Sequence, residues 1–266
     1  MGLLLFSMTP LIFRNYASAY PGTCAANFLP NYFVAGLDTS NEIWLSEQTA
    51  NYIVSVLNSK YPIFDYRNSA CTDSNFKTIL TSLQSYDKAV IYSKGHRDAT
   101  YFGGYSHYGL AMNNAATGGT VWDYDIYTRT SSKNTHTFIW HCETAIPLTN
   151  PSNDTYGCRQ LQRAFTHNYN IPLWGTSGSQ VYLGWTNNVP QYNYPLTAGS
   201  PQYEWNINYN YNYAQVASVY YYYMGQNYAT SAALISMSNM IYGTSFQNTD
   251  LGNWLEVYGN MNAKLP

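Results

Sequence analysis

Charge is what this sequence has least of. Lys, Arg, Asp and Glu together make up only 10% of 266 residues, and the formal net charge is −2. No basic field is available to hold nucleic acid or an anionic membrane surface, so nucleic-acid binding drops out as a function class. Cysteine is scarce as well. Cys24, Cys71, Cys142 and Cys158 have no C-x-x-C spacing, which speaks against a structural zinc site. Long hydrophobic runs are missing too. No stretch reaches the ~18 uninterrupted apolar residues of a membrane span, so the chain does not read as an integral membrane protein. No internal repeat of solenoid length is visible.

Uncharged polarity is what takes the place of charge. Tyr occurs 29 times, and Asn, Ser and Thr are also plentiful, so the polar surface must be built from neutral hydrogen-bonding groups. That composition suits an extracellular or cell-surface protein. Residues 1–22 contain Leu3-Leu4-Leu5-Phe6 and Leu11-Ile12-Phe13, followed by the small-x-small pattern Ala17-Ser18-Ala19. Pro10 interrupts the apolar run and Arg14 lies after it, so a signal-like leader and an ordinary first strand fit equally well. In an exported protein two disulfides are open: Cys24 with Cys71 spares Cys142, whereas Cys142 with Cys158 silences it. Asn153-Asp154-Thr155 forms one N-glycosylation sequon.

Residues 23–266 read as a single α/β domain, long enough to bury a substantial core. Apolar runs place strands at 31–36, 61–65, 88–92, 137–140, 180–185 and 254–258. Helical spacing places helices at 40–60, capped by Thr39 or Ser40, and then from a cap at Asp73 through Phe76, Ile79, Leu80 and Leu83. Further helices fall at 158–165, 214–224 and 228–242. The alternation predicts a mostly parallel sheet of about six strands with helices on both faces. Two insertions interrupt it. Residues 101–134 read as a long loop or small hairpin. Residues 187–213 contain, at 206–213, a strict polar and apolar alternation of Asn with Ile or Tyr that suits an extended edge or a sugar-facing surface.

The third strand runs into Ser93-Lys94-Gly95-His96 and the fourth into His141-Cys142. In open α/β sheets ligands bind beyond the carboxyl ends of the strands, where His96 and Cys142 both fall. A thiol is a useful nucleophile only as thiolate and needs a nearby imidazole or helix N-terminus to become one. Alone, Cys142 reads as a small buried hydrophobe and His96 as a capping residue. If their strands are parallel neighbours, the two ends lie about 5 Å apart, and the pair becomes a candidate dyad. Arg97, Glu143 and Asp98 are candidates for oxyanion binding or substrate positioning, the two carboxylates fitting a solvated surface equally well. His107 is the alternative base. His141 reads as structural, and neither His136 nor His167 has a companion that makes a metal set.

Two stretches, Val90-Ile91-Tyr92-Ser93-Lys94-Gly95-His96 and Phe138-Ile139-Trp140-His141-Cys142, resemble the caspase-like fold of cysteine peptidases, which includes caspases, legumain, clostripain and the gingipains. In that family the third strand runs into a His-Gly pair and the fourth ends in the nucleophilic Cys. Gln180-Val181-Tyr182-Leu183-Gly184-Trp185 and the segment 254–265 are similar to the strand and closing segment of gingipain-like members, so the likeness runs from about 31 to 265. It implies a three-layer α/β sandwich and hydrolysis of peptide or protein substrates, with Cys142 as nucleophile and His96 as acid. The Cys142 backbone N–H would act as an oxyanion donor. It implies no cofactor, a structural Ca²⁺ remaining open. Arg97 stands where the family has Gly; it still offers a backbone N–H but lacks glycine's freedom at positive φ. Residues 186–188 after the fifth strand are uncharged, so no charged P1 pocket is legible. A non-catalytic member of the same fold that binds glycans or proteins through its Tyr and Asn residues is the competing reading, and an assembly unit is a third.

Overall fold

The structure, a computed structural model, describes residues 22–30, 38–102, 105–146, 160–192 and 212–266. Its centre is a six-stranded sheet. In chain order its strands are β1 (Thr23–Leu29), β2 (Ile63–Arg67), β3 (Lys88–Lys94), β7 (Asn134–Trp140), β8 (Val181–Trp185) and β9 (Leu255–Gly259), arranged β2-β1-β3-β7-β8-β9. All neighbours are parallel except the last pair, β8 with β9. Helices α1 (Ser40–Asn58), α2 (Asp73–Leu83), α3 (Asp123–Tyr127), α4 (Leu161–Thr166), α5 (Tyr213–Gly225), α6 (Thr230–Tyr242) and α7 (Leu251–Trp254) complete the framework. The mostly parallel α/β sandwich expected from the alternating pattern is present.

The strands are buried on both sides, and alternate residues go to opposite cores. Val90 and Tyr92 of β3, Phe138 and Trp140 of β7, and Val181, Leu183 and Trp185 of β8 face α1, α5 and α6. Ala89, Ile91, Ile139 and Tyr182 face α2, α3 and α4. The tyrosines account for much of the first core: Tyr92, Tyr192, Tyr220, Tyr221 and Tyr242 are fully buried. The polar and apolar alternation at 206–213 falls mostly outside the described residues, and its last member, Tyr213, is buried in this core.

Three expectations shift. A strand at residues 23–29 precedes the one expected at 31–36, and residues 31–37 lie outside the described residues, as do 1–21. The cap of α2 is the Thr72 side chain, which accepts from the Asn75 N–H, and Asp73 is already helical. The insertion expected at 101–134 begins earlier and is more ordered than a loop. It is a second, antiparallel sheet of β4 (His96–Phe102), β5 (Tyr105–Ala111) and β6 (Thr120–Trp122) in the order β4-β5-β6, followed by α3. Leu110, Met112 and Val121 join the α2 side core and fasten this sheet to the domain.

Phe138 packs edge-on against Tyr92 and Tyr220 and beside Trp140. Phe138→Ala is expected to lower unfolding free energy by about 3–5 kcal/mol in urea titrations. Tyr222→Ala, at a position 44% exposed, should cost well under half of that.

Candidate active site

The site is set by register. Lys94 at the end of β3 pairs with Trp140 at the end of β7, and the Gly95 N–H donates to the Trp140 carbonyl at 3.2 Å. His96 and Cys142 each follow two residues later, so neighbouring parallel strands deliver them to the same edge of the sheet. At Gly95 the chain leaves the main sheet, and at His96 it enters β4. A side chain at position 95 is excluded, because a Cβ there would meet His141 Cε1 at 2.8 Å and Pro30 Cγ at 2.9 Å. The Gly-His pair thus has a packing cause.

The obstructing ring is a brace. His141 is fully buried, its Nδ1–H donates to the His96 carbonyl at 2.7 Å, and its Nε2 accepts from the Ser93 hydroxyl at 2.9 Å. A carbonyl can only accept, which fixes the tautomer. Burial pushes the imidazole down to about 3, the His96 carbonyl opposing that shift, so the ring is neutral. The structural role expected for His141 takes this form: it holds the main chain of His96.

The His96 side chain is held from the other direction. Its Nε2 lies 2.6 Å from Asp38 Oδ2. Asp38 immediately precedes Thr39, whose hydroxyl caps α1 by accepting from the Glu42 N–H at 3.1 Å. The same first turn of α1 sends buried Glu42 to Lys94 Nζ at 2.5 Å, and Lys94 also lies over the Tyr192 ring at 4.9 Å. The start of α1 is therefore tied to the end of β3 through Glu42, and Asp38 just before the helix reaches His96 at the start of β4. Asp38 was not among the sequence candidates: it is a single carboxylate with no motif spacing. Its one sequence signal is its place beside the α1 cap, in the β1–α1 connection that opens on this edge.

Cys142 is a half-buried free thiol. It lies in a tight turn where Glu143 has φ of 48°, the left-handed region that non-glycine residues enter at some cost. The segment after β8 holds that turn. The Asn187 carbonyl accepts from the Glu143 N–H at 3.0 Å, the Trp185 carbonyl accepts from the Ala145 N–H at 2.8 Å, and the Val189 N–H donates to Cys142 Sγ at 3.3 Å. Burial raises the thiol above its ordinary value, and the Val189 N–H and Arg97 charge act against that rise. Arg97 pairs with Glu143 and lies 5.1 Å over the Tyr108 ring, so these two candidates flank the thiol together. Arg97 sits in strand β4 and is not among the positive-φ residues. A glycine at position 97 is therefore not required by the backbone here.

Other candidates lie elsewhere. Asp98 is exposed and turned toward β6, accepting from the Thr120 hydroxyl at 3.0 Å. His107, expected as an alternative base, is fully buried with its Nδ1 2.8 Å from Asp123 Oδ1, out of reach of a solvent-borne substrate. His136 meets the Tyr220 hydroxyl and His167 the Tyr127 carbonyl. Cys24 and Cys71 are free buried thiols in separate surroundings, Cys24 against the Pro62 carbonyl and Cys71 beside Met112, so they do not form the disulfide held open for them. Cys158 lies outside the described residues. Among the described residues, no group of three or more His, Cys, Asp or Glu gathers to hold a metal ion, and no helix is long and apolar enough to cross a membrane.

No family model matches this chain, and no curated protein matches it. Among solved structures it is similar to the crystal structure of the Drosophila initiator caspase Dronc, at 13% identity and a TM-score of 0.42, covering 93% of this chain and 84% of that one. At that score the likeness is a resemblance in arrangement and carries nothing about activity.

The neutral His141 ties stability to pH. Its folded pKa of about 3 lies below the unfolded value of 6.5, so the unfolded chain takes up the proton first. The contribution is complete above pH 6.5 and falls as pH drops toward 3, by up to about 1.4 kcal/mol per pH unit. Urea titrations at pH 7 and pH 5 should show a steeper loss for wild type than for His141→Asn, which is less stable at pH 7 but lacks this titration.

Proposed function

We propose that the chain is a cysteine peptidase in which Cys142 attacks the scissile carbonyl of a peptide or protein substrate and His96 moves the protons. What supports this reading is that two adjacent parallel strands deliver a half-buried free thiol and an imidazole backed by Asp38 to the same edge of the sheet. With Nε2 engaged by Asp38, Nδ1 is the ring nitrogen that would exchange protons with thiol and substrate. The raised thiol means that nucleophilic attack needs His96 to take the sulfur proton as the C–S bond forms.

The resulting oxyanion would be met by the backbone N–H of Cys142, with that of Arg97 as second donor. His96 then gives its proton to the leaving amine as the C–N bond breaks. Water, losing a proton to His96, hydrolyses the thioester, and the thiol regains its proton on release of the acid. No cofactor enters these steps. Asp38 and His141 act as positioning groups, one on the ring and one on the backbone. The scarcity of charge supports an extracellular or cell-surface site of action, and the uncharged residues Thr186, Asn187 and Asn188 supply no charged pocket for the P1 side chain. The glycan-binding reading gains nothing from the nine described tyrosines that are buried, and residues 193–211, which hold most of the Asn- and Tyr-rich stretch, lie outside the described residues.

Iodoacetamide should alkylate Cys142 well ahead of Cys24, which is buried and pushed up to about 12 by that burial. A quenched peptide library randomised at P1 should be cleaved by wild type and not by Cys142→Ala. Asp38→Asn is expected to lower kcat by about 10²–10⁴-fold with a much smaller change in KM. Equal labelling of Cys142 and Cys158 with no peptide cleaved would overturn the assignment.

A further inference from the structure

Strand β4 does more than carry His96. In the order β4-β5-β6 it is an edge strand among the described residues, with β5 on one side. Residues 98–102 are all exposed, including Tyr101 at 74% and Phe102 at 56%. Proteins usually guard such edges with charge, Pro, a bulge or very short length. Here the run Ala99-Thr100-Tyr101-Phe102 has neither charge nor Pro, and it displays two large rings to solvent. The Ala99 N–H donates to the neighbouring Asp98 carboxylate at 2.8 Å, an exposed local bond whose place a substrate carbonyl could take.

Chemistry supplies the occupant. On the peptidase reading, on which this inference rests, His96 protonates the leaving amine, so the substrate chain beyond the scissile bond starts against His96. β4 starts there too. We propose that the edge of β4 facing away from β5 binds the C-terminal, leaving-group side of the substrate polypeptide as an added strand. The substrate's residues after the bond run away from His96 as β4 does, so the pairing is parallel. From His96 to Tyr101 the strand advances about 17 Å at ~3.3 Å per residue, which accommodates about five substrate residues. Main-chain hydrogen bonds make this recognition tolerant of sequence, and Tyr101 and Phe102 add apolar contact to alternate side chains.

The test uses the full chain and a series of internally quenched peptides with identical unprimed residues, randomised at P1, carrying one, three, five or seven residues after the bond. The expected result is a rise in kcat/KM of about 10-fold or more from one to five residues, then a plateau. Backbone N-methylation of the second and fourth residues after the bond should abolish the rise with the wild-type protein. Ala99→Pro, which removes an N–H from the edge, should flatten the ratio between the five-residue and one-residue substrates. Cleavage that is independent of length, or indifferent to N-methylation, overturns this inference alone. Failure to cleave any peptide overturns it together with the peptidase reading. A concentration-dependent dimer that Ala99→Pro dissolves, with no length dependence, assigns the edge to a second copy and overturns it as well.

Discussion

A single buried imidazole braces the point where the chain passes from the main sheet to the second one, beside the candidate site. His141 bridges the Ser93 hydroxyl, still on β3, and the His96 carbonyl, already on β4. It spans the point where the chain changes sheets. Removing the ring would strand a buried hydroxyl and weaken the hold on a carbonyl, a loss of the order of 1–3 kcal/mol for an unpaired buried polar group. The ring also forbids a side chain at residue 95. The sharp exit of the chain from the main sheet, the start of β4 and the height of His96 above the sheet therefore depend on one neutral, fully buried side chain.

The abundance of tyrosine has a different physical meaning from the one composition first suggests. Fully buried rings at 92, 192, 220, 221 and 242 fill the layer between the sheet and α1, α5 and α6. Each brings a large apolar area, and several place the hydroxyl on a partner, as Tyr92 does with Tyr192 and Tyr220 with His136. A buried phenol costs little when its hydroxyl is paired. Tyr192 reaches this core from the segment after β8, the same segment that holds the Cys142 turn through Asn187 and Val189. Core packing thus continues directly into the geometry around the thiol.

The sheet was legible where its strands carried β-branched or aromatic runs. Val90-Ile91-Tyr92 and Phe138-Ile139-Trp140 announce β3 and β7, and so give the positions of His96 and Cys142. β1 escaped because Cys24-Ala25-Ala26-Asn27 carries neither aromatic nor β-branched residues; it is a strand because it is buried between β2 and β3. This is tertiary context overriding local preference. The insertion read as a long loop or small hairpin because Gly, Tyr and Thr also populate turns, and only its pairing across Tyr105 to Ala111 decides for the hairpin and extends it to a sheet. Arg97 and Glu143 were legible as neighbours of the site, whereas their pairing with each other depends on a left-handed turn that no motif encodes.

The remaining feature invisible to the sequence, Asp38, explains why α1 matters to the chemistry. A histidine ring held by one hydrogen bond can still shift with its backbone, and a fixed backbone still leaves the ring free to change rotamer. Asp38 constrains the ring at Nε2, and His141 constrains the carbonyl, so the two restraints act on different degrees of freedom. Asp38 stands next to the cap of α1, where the helix N-terminus favours a negative charge, and the Glu42–Lys94 pair keeps that end of the helix against β3. The helix thereby holds Asp38 in the place where its carboxylate orients the imidazole. The direction in which Nδ1 points is set as much by the first turn of α1 as by the strand that carries His96.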